Sequence, residues 1–144
     1  MGFWLGIVNI AKKSGLLDLI SKIIKKPLCF IFPDLKNNNE ALSNIALNIS
    51  ANALGLANAA TPFGVRAMEN MQDENKYKNR ATNSMCTFLA INTAGFQIVP
   101  AVVLAILTAN GMNNPTQIIL PTLIVTTGAF ICALVFSKIL ERFF

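Results

Sequence analysis

ATNSMCTFLAINTAGFQIVPAVVLAILTANGMNNPTQIILPTLIVTTGAFICALVFS, residues 81–137, runs for 57 residues without one Asp, Glu, Lys or Arg. Soluble domains carry roughly a quarter of their residues as charges, so a run of this length has no place in one. A helix needs about 20 apolar residues to cross about 30 Å of hydrocarbon. The stretch and its immediate flank hold two such segments, residues 85–111 and residues 117–140. Between them lies Asn110-Gly-Met-Asn-Asn-Pro115-Thr116, an uncharged turn rich in Asn, Gly and Pro. The pattern predicts two transmembrane helices joined by a short outer loop.

The rest of the composition agrees. Of 144 residues, 53% are hydrophobic and 13% charged, with a mean hydropathy of +0.53. That excludes a disordered chain and a disulfide-built secreted domain, and it argues against a nucleic-acid module. The net charge of +5 is clustered: Lys12, Lys13, Lys22, Lys25, Lys26 and Lys36 near the start, Arg66, Lys76, Lys78 and Arg80 in the centre, Lys138 and Arg142 at the end. Basic clusters beside apolar runs mark the inner face of a membrane. Residues 66–80 and the C-terminus are therefore expected in the cytoplasm.

Histidine is absent, which removes Ser-His-Asp and Cys-His catalysis and any His-based metal site. Cys29, Cys86 and Cys132 form no CxxC pair and read as small hydrophobes within apolar runs. No phosphate-binding loop, dinucleotide motif or metal cluster is present, and no paired carboxylates fall inside an apolar segment. An enzyme is not expected, nor a cofactor, nor an acidic proton relay.

Residues 41–65 are also uncharged, with Lys36 and Glu40 before them and Arg66 after. If both basic flanks stay inside, the segment enters and leaves by one face. Asn44, Asn48 and Asn52 recur at i, i+4 and i+8, one polar stripe on a helix. Gly55-Leu-Ala-Asn58-Ala-Ala-Thr61-Pro62-Phe63-Gly64 then carries two glycines and a proline expected to interrupt a helix at membrane depth. Broken backbone is tolerated there only inside protein or beside a watery cavity. The expectation is a re-entrant hairpin.

Residues 14–32 alternate Leu16, Leu17, Leu19, Ile20, Ile23 and Ile24 with Asp18, Ser21, Lys22, Lys25 and Lys26. A helical period with a basic face predicts an interfacial amphipathic helix, bent or ended at Pro27. Residues 2–11 are apolar and followed by Lys12-Lys13, but cover only about 15 Å as a helix. Residues 1–13 read as the inner end of a span whose beginning is missing, in an N-terminally shortened chain. The predicted class is thus an all-α, polytopic integral membrane protein.

The residues also resemble a known family. Phe3-Trp-Leu-Gly6, Ser14-Gly-Leu-Leu17 and Phe32-Pro-Asp34 are similar to the early part of spore maturation protein A sequences. The block from Gly55 to Gly64 with Ala67-Met68-Glu69 is the stronger match. Thr82-Asn83-Ser84-Met85, Thr87-Phe-Leu-Ala-Ile-Asn92-Thr93, Asn114-Pro-Thr116 and Pro121 continue it. That family belongs to the nucleoside recognition, or Gate, group. The resemblance implies a single Gate-type domain over residues 1–144 in the inner membrane of an endospore-forming bacterium. It also implies a spore maturation protein B-like partner and a role in dehydrating or maturing the spore core.

The candidate residues for a small polar solute are Asn52, Asn58, Thr61, Asn83, Thr87, Asn92 and Thr93. An amide offers both donors and acceptors to a neutral ligand. Interrupted helices in transporters free backbone groups for the same purpose. The competing reading is structural: Asn and Thr side chains also bond between helices in lipid, or back to their own helix. Thr126, Thr127 and Gly128 read as close helix packing. Two spans and a hairpin cannot surround so many polar groups, so a second Gate-type chain or a second copy is expected. The expected function is one half of a solute-conducting or gating complex; the alternative is a membrane scaffold that conducts nothing.

Overall fold

The computed structural model describes the chain from residue 16 to residue 143. The expectations for residues 1–13 and for the first two residues of 14–32 lie outside that range. All regular structure in the described residues is helical. Helix α1 spans Leu16–Ile31, α2 Asn39–Ala53, α3 Ala57–Asp73, α4 Asn83–Ala94, α5 Ala101–Ala109 and α6 Ile119–Leu140. Short 3-10 turns at Pro33–Leu35 and Pro115–Ile118 lead into α2 and α6.

Helices α2 and α3 form an antiparallel hairpin whose apex is residues 54–56. Gly55 turns the chain there with φ +70. At the base, the Asn38 side-chain oxygen accepts from the amide of Ala41 and caps α2. The same side chain donates to the carbonyl of Asn70 on α3 (3.3 Å). The core lies where α1, α2, α3 and α4 meet, on Leu28, Phe32, Leu42, Ile45, Ala46, Ala67, Met71, Phe88 and Ile91.

The hairpin departs from expectation in two ways. It occupies residues 39–73 rather than 41–65, so Arg66 to Asp73, expected beyond the hairpin, belong to its second helix. The helix is also broken only at 54–56, and Pro62 and Gly64 lie inside α3. Pro62 is the sixth residue of α3, so the carbonyl it leaves without an N–H is that of Asn58, on an exposed turn that other donors can reach. Pro27 likewise sits within α1, which continues to Ile31; the carbonyl deprived is that of exposed Ile23.

The segment 85–111, expected as one spanning helix, is two helices. Helix α4 ends on Gly95 with φ +66, and α5 begins after Pro100, which has no N–H to continue a helical ladder. At 12 and 9 residues the pieces are about 18 and 14 Å long, too short to cross singly. The unwound residues 95–100 are held by tertiary bonds. The amides of Ile98 and Val99 both donate to the carbonyl of Ala53 at the hairpin apex (2.8 and 3.2 Å). The Thr126 hydroxyl of α6 accepts from the amide of Gln97 (3.3 Å) and shares its one proton between the carbonyls of Thr122 (2.8 Å) and Gln97 (3.1 Å).

Helix α6 with its 3-10 lead forms one apolar rod, Pro115–Leu140, of 26 residues. Among the described residues it is the one helix long and apolar enough to cross a membrane. Thr87 meets Ser137 and Glu141, while Gln97 meets Thr126, so α4 and the unwound segment run antiparallel to α6. Neither α5 nor α6 buries a residue fully, and Val102, Ile106, Leu120, Ile124, Val135 and Phe136 stand exposed. Close packing at Gly128 is not found among the described residues: a Cβ built there meets nothing of them within 4 Å. Thr126 acts instead as a clasp on Gln97.

Candidate functional site

The i, i+4, i+8 spacing of Asn44, Asn48 and Asn52 turns one polar stripe of α2 toward α3 and α4. Asn44 donates to the side-chain oxygen of Asn70 (2.9 Å), whose amide donates to Glu40 (3.3 Å). Asn48, 1% exposed, donates to the backbone carbonyl of Ala60 on α3 (2.9 Å). Asn52 donates to Asn92 on α4 (2.8 Å) and, at 3.4 Å, to Asn48. These amides therefore form a ladder from the hairpin base toward its apex, with the last rung reaching a third helix. A buried amide without a partner costs about 1–3 kcal/mol, so the ladder also sets which faces of the helices can meet.

Gly64 makes the middle of the ladder possible. A Cβ there would stand 2.9 Å from the amide nitrogen of Asn48 and 3.8 Å from that of Asn92. Its absence lets both side chains lie against the α3 backbone. Beside this point a cleft of about 490 Å³ opens between α3 and α4, lined by Asn52, Ala60, Thr61, Gly64, Val65, Met68, Glu69, Phe88, Leu89 and Asn92. The Asn52–Asn92 bond uses one amide donor and one amide acceptor. The oxygen of Asn52 and the nitrogen of Asn92 have no hydrogen-bond partner among the described residues. The cleft thus combines two side-chain amides with apolar lining residues, a combination suited to a small neutral polar molecule.

The structure brings three of the sequence candidates, Asn52, Thr61 and Asn92, into this cleft. It places the other four elsewhere. Asn58 is exposed on the first turn of α3, and Asn83 is exposed at the first position of α4. Thr93 is exposed and returns its hydroxyl to the carbonyl of Leu89 (2.8 Å), the local bond open to any helical threonine. Thr87 is 0% exposed and faces α6: its hydroxyl lies 2.6 Å from that of Ser137 and donates to Glu141 (2.8 Å). Glu141 is in turn paired with Lys138 (2.8 Å). This is a latch between α4 and the end of α6, not a wall of the cleft.

Sequence reasoning passed over Glu69. It sits on α3 and lines both this cleft and a second one of about 600 Å³. The second cleft, at the hairpin base, is lined by Asn39, Glu40, Ser43, Asn44, Arg66, Glu69 and Asn70, all polar or charged. The signal that could have found them is the helical spacing of Thr61, Val65 and Glu69, which continues the face of the hairpin past the last apolar residue. Among the described residues, no group of three or more Cys, Asp or Glu stands close enough to hold a metal ion.

A helical hairpin docked by its apex on an unwound helix, with an amide-lined cleft beside the junction, defines a class. The chain belongs to the nucleoside recognition (Gate) family, which matches residues 1–130. Within it, the chain is similar to spore maturation protein A of Bacillus subtilis (strain 168), 39% identical over 136 residues. That match covers 94% of this chain and 69% of the relative. No solved structure matches.

Proposed function

We propose that the chain is one half of a solute-conducting or gating unit in a bacterial inner membrane, serving spore core dehydration or maturation. The observation that carries this reading is the Asn52–Asn92 bridge, which ties the hairpin to α4 at the cleft and leaves one donor and one acceptor free for a solute. Several features support a re-entrant hairpin. The 3-10 turn that leads into its base is tied to the start of α4, where Ser84 donates to Asp34 (3.4 Å), near the end of α6 that Thr87 grips. Its apex meets residues 97–99, level with Thr126 in the interior of α6. The hairpin then rises from the C-terminal end of the span, the cytoplasmic side, and stops within the bilayer.

The break between α4 and α5 has the form that transporters use at solute sites, where the freed backbone is met by another element rather than by lipid. A spore maturation protein B-like chain, or a second copy, would close the open side of the cleft and cover the outward faces of α5 and α6. The chain itself catalyses no reaction on this reading. The test is flux. The chain and its partner, reconstituted in vesicles, should move small neutral polar solutes such as nucleosides, and Asn92→Ala should reduce that flux by at least tenfold without loss of insertion.

The exposed apolar faces of α5 and α6 favour one rival, a scaffold that holds other spore-membrane proteins and conducts nothing. An intact complex with no flux for nucleosides, small acids or ions would establish the scaffold and retire the cleft.

A further inference from the structure

The loop of residues 74–82 is built, not slack. Asn75, 7% exposed, donates to the side chain of Gln72 (3.1 Å) and to the carbonyl of Arg80 (2.7 Å), and accepts from the amide of Tyr77 (3.0 Å). Gln72 donates to the carbonyl of Lys78 (2.9 Å). The Lys78 ammonium donates to the last carbonyls of α3, those of Gln72 and Asp73 (2.7 and 3.1 Å), where the helix dipole is negative. Buried Asn75 thus fixes a turn whose outer side carries Lys76, Tyr77, Asn79 and Arg80, all exposed, Tyr77 at 74%. Neither Lys76 nor Arg80 is in an ion pair; among the described residues the pair is Lys138–Glu141.

The position of this loop follows from contacts already described. Thr87 touches Ser137 and Glu141, and α4 runs antiparallel to α6, so the residues before Asn83 lie level with the end of α6. With α6 crossing a bilayer, the loop sits at headgroup depth on the side of Arg142. Tyr is favoured there for its apolar ring and polar tip, and basic side chains reach out to phosphates. A cavity of about 430 Å³ lies on the loop, lined by Tyr77, Lys78, Asn79 and Arg80.

We propose that this loop is a binding site for an anionic phospholipid headgroup, with Arg80 on the phosphate, Asn79 donating to its oxygens, Tyr77 resting on the glycerol region and the exposed Lys76 adding positive charge beside the cavity. Asn75 is a positioning residue, since it holds the turn without facing the lipid. A guanidinium suits the task because it can give two parallel bonds to one phosphate. The inference rests on the membrane reading of α6 but not on transport.

Trp4 and Tyr77 are the chain's single tryptophan and tyrosine. The full chain carrying Trp4→Phe and Tyr77→Trp therefore reports from the loop alone. In phosphatidylcholine vesicles, phosphatidylglycerol brominated near the carboxyl end of its acyl chains should quench that tryptophan in preference to equally brominated phosphatidylcholine. The preference should be about fivefold or more, the factor one basic side chain is worth at an anionic surface. It should fall to unity in Lys76→Gln with Arg80→Gln, and fall also in Asn75→Ala, which keeps every charge. Equal quenching by the two lipids, or full preference in Asn75→Ala, would overturn the site. Abolition of the preference by inorganic phosphate would overturn the lipid assignment in favour of a soluble anion. Loss of the chain from the vesicles at alkaline pH would overturn this proposal together with the membrane reading; retention with no quenching overturns the loop site alone.

Discussion

Replacing Gly55 by Ala tests the junction on which the functional reading depends. Two penalties combine there. Gly55 has φ +70, and an L residue in the left-handed region costs about 1–2 kcal/mol. A Cβ at this point would also overlap the carbonyl oxygen of Val99 and stand 2.8 Å from the amide nitrogen of Ala101, both backbone atoms that cannot rotate away. The apex must then withdraw from residues 97–101, and the two bonds from Ile98 and Val99 to Ala53 are lost, at about 0.5–1.5 kcal/mol each. The total is about 2–5 kcal/mol. Gly111 supplies the control, because it has φ +76 with nothing within 4 Å of its built Cβ. Gly111→Ala should cost the strain alone, about 1–2 kcal/mol, while Gly128→Ala, in an open helical position, should gain up to about 1 kcal/mol. Denaturation in mixed detergent micelles measures the three differences. Hydrogen exchange on a peptide covering residues 96–101 shows whether Ile98 and Val99 become unprotected in Gly55→Ala. If Gly55→Ala costs no more than Gly111→Ala and the two amides stay protected, the apex is not docked as described and the reasoning fails.

Other substitutions separate the cleft from the scaffold around it. Asn92→Ala removes the acceptor of the Asn52 amide and should cost about 1–2 kcal/mol in the same denaturation assay, with Thr93→Ala, one position on but exposed and self-bonded, within about 0.5 kcal/mol of the parent. Thr87→Val leaves Ser137 and Glu141 without the hydroxyl between them and should cost about 1–3 kcal/mol while solute flux in the surviving folded protein is unchanged. Asn48→Leu keeps the branched shape but takes the donor from the Ala60 carbonyl and an acceptor from the Asn52 amide, and a loss of about 1–3 kcal/mol is expected in the thermal melt. Thr61→Ala should lower flux through vesicles, whereas Asn58→Ala, on the exposed first turn, should leave it as it was.

Much of the architecture was legible in local signals. The polar stripe of Asn44, Asn48 and Asn52 does face a partner helix, because a 3.6-residue period makes one face whatever packs on it. Gly55 marks the turn, and residues 117–140 coincide with the long apolar helix. The errors fall where hydropathy is uniform. Across 85–111 the hydropathy does not tell a straight helix from a broken one; Gly95 and Pro100 were the local signals, and they were not weighed against the length of the run. What holds residues 95–100 unwound is Ala53 and Thr126, respectively 46 and 29 positions from Val99 and Gln97 in the chain. Pro62, in contrast, was given too much weight: near a helix start its missing N–H deprives only Asn58 of a partner.

Thr87 and Asn92 show the division most directly. Both are polar residues in α4, five positions apart, and composition treats them alike. The sequence alone determined the helical class, the long apolar helix over residues 117–140, the amide stripe and the family, because these depend on residue type and spacing along a single chain. Only the tertiary structure decided that Asn92 faces the hairpin while Thr87 faces the end of α6, that Glu69 joins two clefts, and that residues 95–100 unwind. Those outcomes depend on which distant groups complete each hydrogen bond, and a polar group in an apolar surrounding takes the face on which such a partner is found.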